Sequence, residues 1–399
     1  MNKSESSALL MGPLSIKSAY QILPTEPMFG TVGVRRGVKP SALGRARSAF
    51  PILWRVFLTV MGFVLVLPVN AQEALKTYHI DRAAITVSGI SSGGYMAQQF
   101  HVAHSATISG AAVLAAGPYF CAGSGYPFNL VRALNKCMNR QDLIPFYGPP
   151  EVEPSIAVTR NEAARATIDD PVNMSKDKVY LFSGTQDKLV PQAVMDTLYV
   201  YYRAFIDPSN IVYVKHVPAG HAMITDDYGN QACAVLEKPY INNCDYDTAG
   251  KLLQHLYGSL ASPVEWKPKS LHRFDQAEFI ASPEEHSMGR VGHVYVPQAC
   301  AAGATCRLHV VFHGCKQYEE EIGDAFYTGA GYNEWAEANN IVVLYPQTTA
   351  LSYKWFPWPN PMGCWDWWGY TDENFYLKSA VQITAVKAMI DRLVSNGAH

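Results

Sequence analysis

Short apolar runs alternate with segments of helical periodicity along most of the chain beyond residue 80. The first half contains four such runs, AAITVSG, ISGAAVLAAG, DKVYLFSG and NIVYVKHV. Helical patterns follow three of them, at about residues 93–104, 192–205 and 248–256. Continuous apolar runs separated by helices are typical of a parallel sheet that helices cover.

The second half of the chain begins with two alternating runs, KSLHRFDQ and GRVGHVYVP, which predict antiparallel edge strands. CRLHVVFHG and NIVVLYPQ then predict buried strands on either side of a helix at about residues 333–339, and a last helix is expected at about residues 379–395. Residues 121–170 are less regular and indicate an insertion. Since no linker or internal repeat interrupts the pattern, it predicts one α/β domain with a mainly parallel, doubly wound sheet.

The chain before residue 72 has a different pattern. Residues 1–55 are rich in Ser, Gly and Arg, the run VFLTVMGFVLVL follows, and Val69 and Ala71 fit the small positions of a signal-peptidase site. This order predicts a secretory signal cleaved after Ala71, with the folded domain over residues 72–399. The alternative is an uncleaved anchor, although the apolar run is short for a membrane span.

All eight cysteines follow the predicted cleavage site, and an even number behind an export signal predicts disulfides. The sequence leaves their pairing open, and none of the spacings is that of a zinc pair, so no metal is expected. Pairing between chain neighbours is our expectation: Cys121–Cys137, Cys233–Cys244, Cys300–Cys306 and Cys315–Cys364.

The nearly balanced charge of the chain indicates which kinds of partner the protein can bind. Lys and Arg total 32 against 34 Asp and Glu, and no basic stripe suggests nucleic acid. Aromatic residues make up 12% of the chain and charged residues only 17%, which suits an exported protein that meets an apolar surface. We expect a monomer without stable membrane association after signal cleavage.

The segment GISSG, residues 89–93, fits the pattern G-x-S-x-G between a predicted strand and a predicted helix. This motif holds a nucleophilic serine on a sharp turn, where small neighbours let the backbone pack closely. Centring the pattern on Ser92 loses the leading glycine, so Ser91 is the predicted nucleophile. The backbone N–H of Ser92, at the helix N-terminus, then points toward an oxyanion.

A nucleophilic serine needs a base, and the base needs an acid that orients it. In the hydrolase fold these residues follow in the order serine, acid, histidine. Asp187 lies in SGTQDKLVP just past the third strand, and His221 lies in VPAGHAM after the fourth. Both positions fall at the carboxyl edge of a parallel sheet, where catalytic groups collect. We therefore predict a triad of Ser91, Asp187 and His221 that needs no metal or organic cofactor.

A second oxyanion donor usually comes from an HGG-like loop upstream of the nucleophile. Here only the predicted signal lies upstream, and the matching segment HGC, residues 313–315, follows an apolar strand far downstream. We therefore expect a circularly permuted α/β-hydrolase, which is physically feasible because the termini of compact domains often lie close together. The N–H of Cys315 is the predicted second donor, in a loop that a disulfide would hold.

The segment YKWFPWPNPMGCWDWWGY, residues 353–370, carries five tryptophans. Its Pro and Gly residues prevent one face from burying all five rings, so partly exposed rings would provide an apolar surface. We expect this segment to line the acyl-side pocket and to bind an apolar ester. The predicted substrate-binding residues are Trp365, Trp367, Trp355 and His313.

The motifs GISSGGYMA, SGTQDKLVP, PAGHAM, HGCKQ and GCWDWWGY, in this order, resemble the extracellular short-chain-length polyhydroxyalkanoate depolymerases whose oxyanion segment lies downstream of the lipase box. The resemblance runs from about residue 80 to the C-terminus. It implies a permuted α/β-hydrolase that cleaves poly(3-hydroxybutyrate) to oligomers and monomer, with a tryptophan of CWDWW at the substrate site. By motif match, it assigns the triad and oxyanion roles to Ser91, Asp187, His221, Ser92 and Cys315.

Many such enzymes carry a linker and a separate polymer-binding domain, and this sequence shows neither. Either the catalytic surface itself binds the polymer, or the substrate is soluble oligomers. The expected function is a secreted serine esterase, extracellular or periplasmic, that acts through an acyl-enzyme. Two alternatives stay open: a secreted carboxylesterase for feruloyl, acetyl or hydroxybutyrate-oligomer esters with the same triad, and a non-enzymatic binding protein that uses the tryptophan-rich segment.

Overall fold

An eight-stranded sheet forms the centre of the computed structural model, which describes residues 74–123, 129–229, 231–351 and 360–394. All these residues belong to one unit, Leu67–His399. The predicted export segment, residues 1–71, lies outside them and stays a prediction. In chain order the strands are β1 (Ile80–Ile90), β2 (Gly110–Leu114), β3 (Lys178–Phe182), β4 (Ile211–Val214), β5 (Met223–Thr225), β6 (Ile241–Asn243), β7 (Leu271–Asp275), β8 (Val291–Tyr295), β9 (Cys306–Phe312) and β10 (Ile341–Tyr345).

The strands of the central sheet lie in the order β4-β3-β2-β1-β9-β10-β8-β7. All neighbours are parallel except at β8, which is antiparallel to both β10 and β7. Strands that come last in the chain thus complete one half of the sheet beside β1, and this confirms the predicted permuted α/β-hydrolase class. The prediction of two edge strands holds for β7 alone, because β8 pairs on both sides.

Helices whose apolar periodicity extends over several turns begin and end within about three residues of the expected positions. Elements of three to five residues, such as β5, β6 and the short helices before residue 330, are too short to show a period. The helices are α1 (Ser92–Ala103), α2 (Asn129–Arg132, continued by a π-helical turn, Ala133–Cys137), α3 (Glu153–Ala164), α4 (Gln192–Arg203), α5 (Thr248–Tyr257), α6 (Gln298–Ala301), α7 (Glu319–Ile322), α8 (Ala325–Gly329), α9 (Tyr332–Asn339) and α10 (Val381–Val394).

Alternating strand residues send their side chains into separate cores on the two faces of the sheet. Val310 of β9 packs in a core with residues of α1 and α10 such as Phe100 and Val386. Its neighbour Val311 packs in a second core with residues of α5 and α9 such as Leu252 and Trp335. Because both faces are covered, β9 consists of a continuous apolar run. Among the helices that the structure describes, none has both the length and the apolar character to cross a bilayer.

Four disulfides join the eight cysteines, and they are the neighbour pairs that we expected: Cys121–Cys137, Cys233–Cys244, Cys300–Cys306 and Cys315–Cys364. The last closes the longest loop, with a sequence separation of 49 residues. It joins the loop after β9 to the chain before α10. The loop that carries HGC is therefore covalently held at the carboxyl edge of the sheet.

A buried histidine of the sheet predicts a measurable acid sensitivity. His309 is enclosed, with Nδ1 2.7 Å from the Thr86 hydroxyl and Nε2 2.8 Å from the Ser88 hydroxyl. Burial lowers the pKa of His309 to about 3, whereas an unfolded histidine titrates near about 6.5. Between these values the unfolded chain binds a proton at this histidine that the folded chain does not, so the contribution of His309 to stability falls as the pH drops below about 6.5.

We therefore expect His309→Gln to remove this contribution from the pH dependence of the free energy of unfolding between pH 6.5 and 4.5. The difference in slope should approach about 1.4 kcal/mol per pH unit, the value for one proton. Urea denaturation at closely spaced pH values measures both slopes. Comparing slopes removes any constant loss of stability that the substitution itself causes, and parallel curves would contradict the assignment.

Candidate active site

Ser91 lies in a strained turn between β1 and α1. Its backbone has φ 56° and ψ −123°, a conformation that costs a non-glycine residue energy. Its N–H donates to the Leu114 carbonyl of β2 at 2.9 Å, which holds the turn on the sheet. A side chain on either flanking glycine would collide with the backbone: a Cβ at Gly89 would lie 2.1 Å from the Gly93 oxygen, and one at Gly93 would lie 2.2 Å from the Phe312 oxygen. The two glycines of the motif are therefore needed for the close packing of the backbone around Ser91.

The predicted acid and base form a hydrogen-bonded pair in loops that follow β3 and β4. Asp187 accepts the Nδ1–H of His221 on Oδ2 at 2.8 Å. Its other oxygen, Oδ1, accepts the backbone N–H groups of Leu189 and Val190, both at 2.9 Å. Both side chains are buried. The carboxylate therefore fixes the tautomer of His221 and leaves Nε2 free to accept a proton.

A cavity of about 550 Å³ contains both Ser91 and His221. Gly314 and Cys315 of the loop after β9 also line it, together with apolar side chains: Ile90, Met138, Leu189, Ala222, Leu236 and Met362. Parallel strands place their carboxyl ends at one edge of a sheet, which is why four loops from distant parts of the sequence meet here. Of the predicted site residues, this edge brings together the serine, the acid, the histidine and the HGC loop.

The two predicted oxyanion donors belong to segments that adjoin Ser91. Ser92 is the first residue of α1, so its N–H has no acceptor within the helix. Gly314 lies directly against Ser91, since a Cβ built on it would be 3.4 Å from the Ser91 Cβ. The neighbouring Cys315 N–H makes no hydrogen bond to another residue in the described part of the chain. These amides can stabilise a negative oxygen that forms on a carbonyl at Ser91.

Gln317 holds the HGC loop in place, a role that the sequence reading missed. Its buried side chain accepts the Gly314 N–H on Oε1 at 2.7 Å and donates from Nε2 to the Tyr240 carbonyl at 3.0 Å. It thereby links the loop after β9 to the segment before β6. The only signal in the sequence is its place in HGCKQ, two residues after Cys315.

The structure corrects three of the four predicted substrate-binding assignments, and the fourth, Trp355, lies outside the described residues. Trp365 is fully buried, with its ring 5.0 Å from that of Phe312 in an edge-on contact. Trp367 is 5% exposed and stacks on Tyr95 at 4.0 Å. Neither ring lines the cavity. Both tryptophans fill the interior of the domain and leave no face for a substrate.

His313 is also structural. Its ring is fully buried, Nδ1–H donates to the Gly314 carbonyl at 2.8 Å, and Nε2 accepts the Thr348 N–H at 3.2 Å. Burial lowers its pKa to about 4, so it stays neutral at neutral pH. His313 thus holds the HGC loop through these hydrogen bonds and does not line the cavity.

No cluster of three or more potential metal ligands occurs among the residues that the structure describes.

No protein-family model matches the chain. It is 45% identical over 332 residues to the poly(3-hydroxybutyrate) depolymerase of Delftia acidovorans, an alignment that covers 82% of this chain and 63% of that protein's length. It is 35% identical over 335 residues to the polyhydroxybutyrate depolymerase of Talaromyces funiculosus, with 82% of this chain and 94% of the relative covered.

Two solved structures are similar to the chain at 34% sequence identity, and each alignment covers 81% of this chain and 99% of the other. One is a PHB depolymerase with a serine-to-alanine substitution, complexed with an R3HB trimer, at a TM-score of 0.71. The other is the PHB depolymerase of Penicillium funiculosum, at a TM-score of 0.70.

Proposed function

The chain belongs to the poly(3-hydroxybutyrate) depolymerase family, and on that premise we propose that it is a secreted serine esterase that hydrolyses poly(3-hydroxybutyrate), or a related short-chain polyester, to oligomers and monomer. One observation carries the proposal. His221, oriented by Asp187, shares a cavity with Ser91, and the Gly314–Cys315 segment lies against that serine. Nucleophile, base, acid and oxyanion donors are thus supplied by this chain alone.

In the proposed mechanism, His221 Nε2 accepts the Ser91 hydroxyl proton as Ser91 Oγ attacks the ester carbonyl. The N–H groups of Ser92 and Cys315 stabilise the oxyanion, and one such donor is worth about 2.7–4 kcal/mol. His221 then protonates the leaving hydroxyl end, which leaves an acyl-enzyme. Water, deprotonated by His221, releases the acid and restores Ser91. No step needs a metal or an organic cofactor.

The cavity supports an apolar ester as the substrate. Its six apolar side chains suit the methyl-bearing backbone of a hydroxybutyrate chain. A relative with an R3HB trimer bound also supports this substrate class. Four disulfides support an oxidising compartment as the destination of the mature protein.

A substrate panel tests the proposal against the rival esterase function. Purified protein is assayed on amorphous poly(3-hydroxybutyrate), on soluble hydroxybutyrate oligomers and on feruloyl and acetyl esters. We expect release of hydroxybutyrate from the polymer and the oligomers, at rates far above those on the aromatic esters. Rapid hydrolysis of the aromatic esters without any release from the polymer would instead support a carboxylesterase.

Gln317 gives a further expected result, because its side chain positions the loop that carries the Cys315 amide. Gln317→Leu removes the acceptor for the Gly314 N–H and the donor to Tyr240. We expect kcat on a soluble oligomer to fall about tenfold or more while KM changes by less than about threefold, because a displaced oxyanion donor affects the transition state most. The exposed Gln298, changed to alanine, is the matched control. A rise in KM at unchanged kcat would assign Gln317 to substrate binding.

A further inference from the structure

Three cationic residues line the cavity that contains Ser91 and His221: Arg140, Lys188 and Lys316. Asp142 is the only carboxylate in that lining as the structure describes it. The interior of a polyester chain is uncharged and gives these cations nothing to pair with. The excess positive charge therefore points to an anionic part of the ligand.

Arg140 is not available for such a ligand, because it is already paired. Its Nε and Nη2 atoms donate to the two Asp142 oxygens at 2.8 and 2.5 Å. This fork-to-carboxylate geometry is the strongest form of side-chain ion pair, and the Asp142 pKa is lowered mainly by the hydrogen bond from Arg140. Lys188 and Lys316, by contrast, form no ion pair with any other described residue.

The backbone fixes both lysines beside the catalytic groups. Lys188 lies between Asp187 and Leu189, and the Leu189 N–H donates to the Asp187 carboxylate. Lys316 follows Cys315, which is disulfide-bonded to Cys364. Its N–H donates to the Met362 carbonyl at 2.7 Å, and its φ of 61° is rare for a lysine. The two lysines thus belong to separate loops that border one cavity.

We propose that Lys188 and Lys316 form a subsite for the free carboxylate of a 3-hydroxyalkanoate oligomer or product. This inference rests on the proposed function. Each oligomer, and each fragment that leaves with the hydroxyl end, carries one carboxyl group, which ionises at neutral pH. Lys188 is exposed and Lys316 is half-buried, so the attraction is that of surface ion pairs, which water and salt screen. The subsite favours short oligomers that present their acid end over internal ester bonds.

The test compares the hydroxybutyrate trimer as free acid with its methyl ester, whose terminal group is uncharged and one methyl larger. Only cleavage of the internal ester bonds, which both substrates share, is scored. At low salt, we expect the wild-type KM for the acid to be about three- to tenfold below that for the ester, as for one or two partly exposed ion pairs. The ratio should approach one at high salt, because such pairs are screened. In the variant Lys188→Met/Lys316→Met, we expect a ratio near one at any salt. Lys269→Met, an exposed lysine outside the cavity lining, should keep the wild-type ratio.

Two results would overturn the subsite while leaving the proposed function standing: equal KM values for acid and ester in the wild type, or a double variant that keeps the wild-type ratio. If the wild type hydrolyses neither trimer, the proposed function fails, and the subsite fails with it. Hydrolysis of the trimer methyl ester thus tests the proposed function, and the ratio of the KM values for ester and acid tests the carboxylate subsite.

Discussion

Replacing Ser91 with alanine is expected to lower hydrolysis of hydroxybutyrate esters by about four orders of magnitude or more. The substitution removes the only nucleophile that the proposed mechanism uses, and loss of a triad serine typically costs that much in kcat. The fold should persist, because the strained turn is held by backbone contacts that alanine keeps, such as the N–H to Leu114. Initial rates on a soluble oligomer and a thermal melt measure both effects.

Ser92→Ala is the matched variant, because it removes a hydroxyl one residue away. The Ser92 Oγ is buried without a hydrogen-bond partner among the described residues, and the backbone N–H remains after the change. We expect a loss of less than about tenfold. If Ser91→Ala kept near-normal ester hydrolysis, or if Ser92→Ala lost as much activity as Ser91→Ala, the assignment of the nucleophile would be wrong.

Gly93→Ala should have the second largest effect, this time on folding. A Cβ at Gly93 would lie 2.2 Å from the Phe312 oxygen and 2.4 Å from the His313 oxygen, both of which are backbone atoms. Relief requires α1 to move away from β9, and that movement separates Ser91 from the HGC loop. We expect a loss of about 3 kcal/mol or more in the free energy of unfolding, together with a large loss of activity.

Gly148→Ala is the control for the Gly93 experiment. Gly148 has φ 84°, and a Cβ there would meet no atom within 4 Å, so the change costs only backbone strain of about 1 kcal/mol. Chemical denaturation of both variants separates the steric cost from the conformational one. Equal losses at the two positions would contradict the close approach of α1 to β9.

The sequence could place the loops of the candidate site at one edge of the sheet because each of them follows a strand. Ser91, Asp187 and His221 come after the first, third and fourth apolar runs, and parallel strands must bring such positions to one edge. Cys315 could be placed for the same reason, although it lies far along the chain. Strand periodicity and motif order therefore suffice to predict the sheet, its permuted order and the position of each loop.

The aromatic residues could not be placed in this way, because their exposure depends on packing between distant segments. Trp365 and Trp367 lie in the Pro/Gly-broken run that suggested an exposed surface, yet they pack on Phe312 and Tyr95 from other parts of the chain. No local pattern encodes those contacts. Gln317 was missed for the same reason, since its partner Tyr240 belongs to a loop that shows no periodicity.

Labelling with a fluorophosphonate, followed by fragmentation of the labelled peptide and an assay of the same sample on amorphous poly(3-hydroxybutyrate), tests the central claim most directly. The account predicts one equivalent of label, attached to Ser91 and not to Ser92, with hydroxybutyrate release lost in proportion to labelling. Label on another residue, or undiminished release from fully labelled protein, would contradict it.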